Sequence, residues 1–299
     1  YIRKRNNRGL RLISQPTREV KLLQRSIVKL LDPLVKIHDT ATAYQKGRSI
    51  KDHATPHAAN RYLLKLDFKD FFPSIDQSCL EYCIHNIDLF SKEESEQIIK
   101  ILCRLDFSTH PNSLRLSIGA PSSPFISNFV MYEFDDIVNS FCAKNNAIYT
   151  RYADDIAISC STPKFLDKTH AFINSTLTHL DYLKITLNDE KTVYGSKKNK
   201  RFLVGIVLAN SGTASIGRDA KRAIRATIHK ASKGLLNIKE LSKLRGRLSY
   251  YLSIDKEFVT DLLRRYGFDS PNKIVFPVVE GTLSANTNNL IEFHDDDLF

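Results

Sequence analysis

The sequence predicts an α+β chain: a basic strand-and-helix lobe, a mixed core of helices and paired strands, and a basic helical end. Three observations carry this expectation. Apolar residues recur at helical spacing in several stretches, β-formers alternate in others, and the two patterns interleave with no internal repeat or long linker. At 299 residues the chain is long for a single core, so subdomains are expected. Its 42% hydrophobic and 26% charged residues are those of an ordinary folded protein.

In chain order, "RGLRLISQP" alternates basic and apolar residues, as strands of a hairpin-like sheet do. "TREVKLLQRSIVKLLDPLVKI" places apolar residues at helical spacing up to a break at Pro33. "YQKGRSIKDHATPHAANR" is a basic, turn-rich connector. "YLLKLDFKDFFPSI" starts as a strand and ends at Pro73. Residues 76 to 106 read as helical, with a second helix starting at Ser91, whose partner Glu94 completes a capping box. "GAPSSPFISNFVMYEFDDIVNSFCAKN" reads as a turn and one long helix, and "AIYTRYADDIAISC" as two strands around a turn. Residues 163 to 184 return to helix. Strands follow, with a basic tip at Lys197, Lys198, Lys200 and Arg201. From Arg218 to about Leu263 the helices are amphipathic and basic, and "HDDDLF" has the composition of a solvated tail.

Against 33 acidic residues stand 44 Lys and Arg, a net charge of +11. The sequence pI is near 9.3. That excess favours a polyanionic partner, nucleic acid or an acidic membrane surface. No apolar run approaches the roughly 18 to 20 residues of a membrane span. Five cysteines (Cys79, Cys83, Cys103, Cys142, Cys160) form no CxxC pair, so buried reduced thiols and a cytosolic setting are expected.

Three acids stand out. Asp67 falls at the end of "YLLKLDF", and Asp154 and Asp155 fall on the turn of the later strand pair. Like charges side by side repel unless a cation lies between them. If the strands are neighbours, the carboxylates converge on one sheet edge and offer the hard oxygens that Mg²⁺ prefers. Two ions roughly 3.5 to 4 Å apart then serve an in-line displacement at phosphorus, the chemistry of nucleotidyl transfer. Asp is also a common turn residue, and spacing alone leaves both readings open.

Five blocks then occur in order: "LLKLDFKDFFPSI", "IGAPSSPFISNFVM", "YTRYADDIAIS", "ITLNDEKTVYGS" and "RFLVGIVL". They resemble the successive palm motifs of reverse transcriptases. Upstream, "RGLRLISQPTREVKLLQR" and "YQKGRSIKDHA" are similar to the fingers motifs of the bacterial group that includes retron and group II intron enzymes. The resemblance covers most of residues 3 to 255. It implies a right-hand polymerase with fingers at 1–61, a palm at 62–215 carrying a finger-like helical insertion at about 76–115, a thumb at 216–285 and an acidic tail at 286–299. "KGRSIKDHATPH" is similar to a retron element that usually reads NAxxH; Ala54 and His57 match, and His53 replaces the Asn. At the thumb junction, where retron enzymes usually carry VTG, this chain has Leu203, Val204 and Gly205.

The resemblance also implies roles. Asp67, Asp154 and Asp155 match the metal-binding triad for two Mg²⁺ ions, with the Phe68 carbonyl as a further ligand. Phe72 matches the sugar gate, whose ring leaves no space for a ribose 2′-hydroxyl, so the substrates are deoxynucleoside triphosphates. Arg11 matches a fingers residue that reaches the triphosphate, with Lys46 and Arg48 as weaker candidates. Gly119, Ser122 and Ser123 fall in the block that lies along the nascent pair and template, and Lys191 matches a general acid for the leaving pyrophosphate. Gly205 falls in a primer-gripping hairpin, and the later basic helices with Tyr250 and Tyr251 match a duplex-binding thumb. Each also has a plain reading: core packing for Phe72, helix capping for the serines, solvated charge for Lys191 and the arginines.

The implied function is an RNA-directed DNA polymerase of the retron type in the bacterial cytoplasm. It copies a structured noncoding RNA into branched RNA–DNA (msDNA) for anti-phage defence. Its implied partners are that RNA, the RNA–DNA hybrid product, a separate effector protein and a higher-order complex, with no membrane. Two other readings stay open: a non-retron defence reverse transcriptase with template-independent or protein-primed synthesis, and a catalytically idle RNA-binding scaffold for an effector.

Overall fold

A computed structural model describes residues 1–3, 10–106 and 113–274. The chain divides into two compact units: Tyr1–Arg218 with Ser253–Asp255, and Asp219–Leu252 with the chain from Lys256 onward. The fold class is α+β with antiparallel sheets, as the sequence predicts.

The first unit is built on a four-stranded antiparallel sheet in the order Ile148–Tyr152, Asp155–Cys160, Tyr62–Asp67, Val193–Ser196. Tyr62–Asp67 is central, and Leu63, Leu64 and Leu66 are all buried, so both of its faces are covered. Around it Phe68, Leu80, Ile84, Ile99, Phe134, Val138, Ile156 and Ile158 form one continuous core. A smaller sheet joins Arg201–Leu203, Ile206–Leu208 and Ala214–Ser215. Ile2–Arg3 pairs with Leu10–Arg11, the expected N-terminal strands.

Local chemistry sets the helix ends. Arg18–Leu31 starts at Thr17, whose side chain accepts from the Val20 amide, and ends at Asp32 before Pro33. Lys92–Leu102 opens on the Ser91 and Glu94 capping box that the sequence predicts. Three expectations are corrected. The helical stretch ends at Leu102, and Arg104–Asp106 is a strand paired with Ser113–Arg115. The long helix is two, Ser123–Val130 and Tyr132–Lys144, parted at Met131, where ψ of 1° leaves the helical range although the Met131 amide still donates to the Ser127 carbonyl. Pro163–His179 stops short of residue 184 because the chain turns to bury Leu180, Leu183 and Ile185.

All five cysteines are free thiols, and burial pushes Cys103 and Cys142 up to about 12. No helix among the described residues is long and apolar enough to cross a membrane. In the second unit, helices Ile238–Ile254 and Lys256–Arg265 and most of Arg218–Ser232 enclose Ile224, Ile228, Leu244, Leu248, Val259 and Leu262. Their basic residues, among them Arg222, Arg225, Lys230 and Arg247, face outward.

Candidate active site

The register of the central sheet assembles the site. Asp67, the last residue of its strand, lies directly opposite Asp155, the first residue of the next. A two-residue turn, Ala153 and Asp154, joins that strand to Ile148–Tyr152. Of the two acids expected on the turn, only Asp154 is there. The Phe68 amide donates to the Asp154 carbonyl at 3.0 Å and ties the turn to the central strand.

Ala153 takes a left-handed φ of 56°, which carries a steric cost for any residue with a Cβ. Arg151 offsets it: its Nη1 donates to the Ala153 carbonyl at 3.1 Å. That guanidinium is fully buried, and its fork pairs with the equally buried Asp135 at 2.6 Å. Asn128 accepts from Arg151, and the Tyr149 hydroxyl donates to Asp135. Behind the same hairpin, Thr150 bonds both His53 and His57, and His57 also bonds Ser159. Both imidazoles are held neutral: burial, then the charges of Lys65 and Arg151, pull His53 down to about 3. Burial holds His57 well below its ordinary value.

Lys191 ends a 3₁₀ turn, Asp189–Lys191, which follows a bond from the Asn188 amide to the Asp67 carbonyl. Its ammonium lies 2.6 Å from Asp67 Oδ1. Burial and the charges of Asp154 and Asp67 push the Asp155 carboxyl up to about 6, against the pull of Lys65 and Lys191. Among the described residues no group of three or more acidic, His or Cys side chains is close-set enough to hold a metal ion. Still, the chemistry of the carboxylates suits Mg²⁺, since Asp67 and Asp155 are hard oxygen donors paired at one sheet edge with Asp154 on the adjoining turn, and the Lys191 ammonium lies against Asp67.

Beside the acids opens a cleft of about 280 Å³ whose lining includes Phe68, Phe72, Asp154 and Lys191. Phe72 lies on the short helix Phe71–Ser74, entered through Asp70 at φ 45°. Opposite is Tyr44, its ring centroid 6.3 Å from that of Phe72. Tyr44 is a lining residue that sequence reasoning missed. It is placed by its neighbours, since the Thr42 amide donates to the Arg151 carbonyl and Asn128 donates to Ala43.

The structure thus gathers Asp67, Phe68, Phe72, Asp154, Asp155 and Lys191. It does not bring Ser122 to the surface: that side chain is fully buried, and its Oγ has no partner among the described residues. Ser123 is buried on the Ser117 carbonyl. Gly119, at φ 110°, is approached by Ile13 and the Ser14 carbonyl, which a Cβ would meet at 3.0 and 3.2 Å. Lys46 and Arg48 are exposed, Arg48 facing Asp39 at 3.9 Å. The backbone of Arg11 is a strand, but its side chain lies outside the described residues.

A sheet edge of this kind beside an aromatic-lined cleft suits nucleotidyl transfer, and the comparisons agree. Residues 2–208 match the family described as reverse transcriptase (RNA-dependent DNA polymerase), and the chain belongs to it; its fold class is that of right-hand polymerases. Among characterised proteins it is 37% identical over 260 residues to the retron Ec83 reverse transcriptase of Escherichia coli, spanning 87% of this chain and 83% of that one. It is 33% identical over 271 residues to the retron Ec73 reverse transcriptase of Escherichia coli, spanning 86% and 83%. The chain is an RNA-directed DNA polymerase of the retron type. Among solved structures, apo telomerase from Candida tropicalis aligns over 86% of this chain and 52% of that one, with TM-score 0.49 and 13% identity.

Proposed function

We propose that the enzyme reverse transcribes one specific structured noncoding RNA into branched RNA–DNA, and that this product serves anti-phage defence in the bacterial cytoplasm alongside a separate effector protein. The observation that carries the catalytic part is the pairing of Asp67 with Asp155 at a sheet edge beside the cleft that Phe72 and Asp154 line.

In this reading Asp67, Asp154, Asp155 and the Phe68 carbonyl hold two Mg²⁺ ions. Bound there, the ions supply activation of the attacking hydroxyl and neutralisation of the developing phosphate charge. Lys191 releases Asp67 and gives its proton to the leaving pyrophosphate, a role consistent with an ammonium 2.6 Å from that carboxylate. Phe72, walled by Tyr44, sits under the sugar and excludes a 2′-hydroxyl that would find no partner there. Arg11 reaches the triphosphate. Fingers at 1–61, palm at 62–215 and thumb at 216–285 are the functional divisions, and the basic helices of the thumb hold the RNA–DNA hybrid through phosphates and 2′-hydroxyls.

The test is to sequence the nucleic acid that copurifies with the protein and to assay DNA synthesis on it. A defined RNA joined to DNA through a 2′-branch, absent from Asp154→Asn preparations and from reactions with EDTA, is the expected result. Random or repetitive DNA in its place would falsify the retron reading, and full synthesis by Asp154→Asn would sink the catalytic one.

A further inference from the structure

The central sheet has two ends, and the second is as strongly charged as the first. Tyr62 and Asp67 terminate the same strand, so at about 3.3 Å per residue the far end lies roughly 16 Å from the carboxylates. There Tyr62 pairs with Ser196, and the Lys197 amide donates to the Arg61 carbonyl at 3.0 Å. The turn that follows exposes Lys198 and Lys200 beside half-buried Lys197, and Arg61 is exposed next to them. No Asp or Glu occurs between Asp52 and Asp67, or between Glu190 and Asp219. The chain segments that form this surface are free of acids.

Arg201, which sequence reasoning groups with the exposed tip, is only 2% exposed. Its guanidinium donates to the carbonyls of Asn60, Ala58, Leu208 and Ala209, so one side chain pins together three separate stretches. Asn210 adds a bond to the Lys197 carbonyl at 3.1 Å. Those carbonyls bind both terminal nitrogens of the guanidinium without cancelling its charge, although its Nε has no partner among the described residues, and they anchor the turn that carries the lysines. Aromatic faces complete the surface. Lys200 Nζ lies 4.7 Å from the centroid of the Phe202 ring, which is 40% exposed, and Arg61 lies over Tyr62 at 5.5 Å.

We propose that this end of the sheet, formed by Arg61, Lys197, Lys198, Lys200 and Phe202 over Arg201, is a second nucleic-acid site that grips the phosphate backbone of a folded RNA away from the carboxylate edge. Fixed cations with an interleaved aromatic suit a sugar–phosphate chain. The surface consists of turns and strand ends, with no amphipathic helix to lie in a bilayer, which disfavours a lipid headgroup layer. The choice of RNA rests on the proposed function; the anion chemistry does not.

The experiment compares the full chain with its Lys197→Ala/Lys198→Ala/Lys200→Ala variant, using a 20-base-pair RNA hairpin as probe across a salt series. Affinity at 0.15 M salt should fall at least tenfold, and the slope of log K against log salt should become shallower by about two to three, near one per lost phosphate contact. An unchanged melting temperature checks the fold. If the triple variant melts early, Lys198→Glu alone carries the test, with a slope shallower by about one. Asp154→Asn should bind the hairpin at least as tightly as the parent protein while making no DNA, so failure of the polymerase reading is distinguishable from failure of this one. Unaltered affinity and slope in the lysine variant overturn the proposal. So does a loss confined to vesicles containing phosphatidylserine, with the hairpin bound as before.

Discussion

Asp154 and Asp155 are adjacent in sequence but differ in surroundings. Asp154 lies on the turn and lines the cleft, and Asp155 opens a buried strand against Asp67. Asp154→Asn keeps the size of the side chain and the backbone bond from Phe68, so it should cost synthesis and not stability. We expect primer extension to fall by about 10³-fold or more, comparable to loss of a transition-state group, with the melting temperature unchanged. At Phe72 the expected effect is on selection. Phe72→Ala opens the floor of the cleft, and the ratio of kcat/KM for deoxy over ribonucleotides should drop by about 10- to 200-fold, the range that one shape contact supports. Incorporation assays with single nucleotides read it directly. Lys191→Ala should lower kcat more than it raises KM, since its proposed contribution arises as pyrophosphate leaves. Of these residues, Phe72 stands out only through the resemblance to reverse transcriptases, while the acids are legible in sequence because they fall at or beside strand ends. Tyr44 is not, because it reaches Phe72 through a stretch held by Arg151 and Asn128, more than 80 residues away in sequence.

At the scale of elements, the hairpin that carries Asp154 and Asp155 is braced from behind by two buried polar systems. Removing one partner of the Arg151 and Asp135 pair strands the other charge without solvent, so Asp135→Asn should destabilise the protein by about 3 to 5 kcal/mol in urea unfolding. The imidazoles make a second, pH-dependent contribution. His53 and His57 stay neutral in the folded chain, whereas the unfolded chain protonates them as pH falls below about 6.5. Stability is therefore full above that value and declines as pH drops toward the folded values, by about 2 kcal/mol at pH 5 for His53, with a further loss of the same sign from His57. Urea midpoints at pH 7.5 and 5 should show the fall, and His57→Gln should flatten it. Sequence finds these elements but not their limits. The break at Met131 carries no Gly or Pro to announce it. Arg201 reads as one more solvated base, because the carbonyls that bury it come partly from residues more than 140 positions earlier.

At the scale of the molecule, the described residues form two hydrophobic cores, one around the central sheet and one among the later helices. Leu244 is buried in the second. Leu244→Ala should cost about 2 to 5 kcal/mol there, and amide exchange should show the lost protection confined to Arg218–Ser232, Ile238–Ile254 and Lys256–Arg265. An equal loss throughout the central sheet would mean that the two cores unfold as one. The register of that sheet bears on how such a protein can change over time. Because side chains alternate faces along a strand, inserting or deleting one residue within Ile148–Tyr152 or Asp155–Cys160 would reverse the face of everything beyond it. Substitutions can tune this enzyme gradually, but length changes in the hairpin around Asp154 have no intermediate effect: the ruler that aligns Asp155 with Asp67 is counted in whole residues.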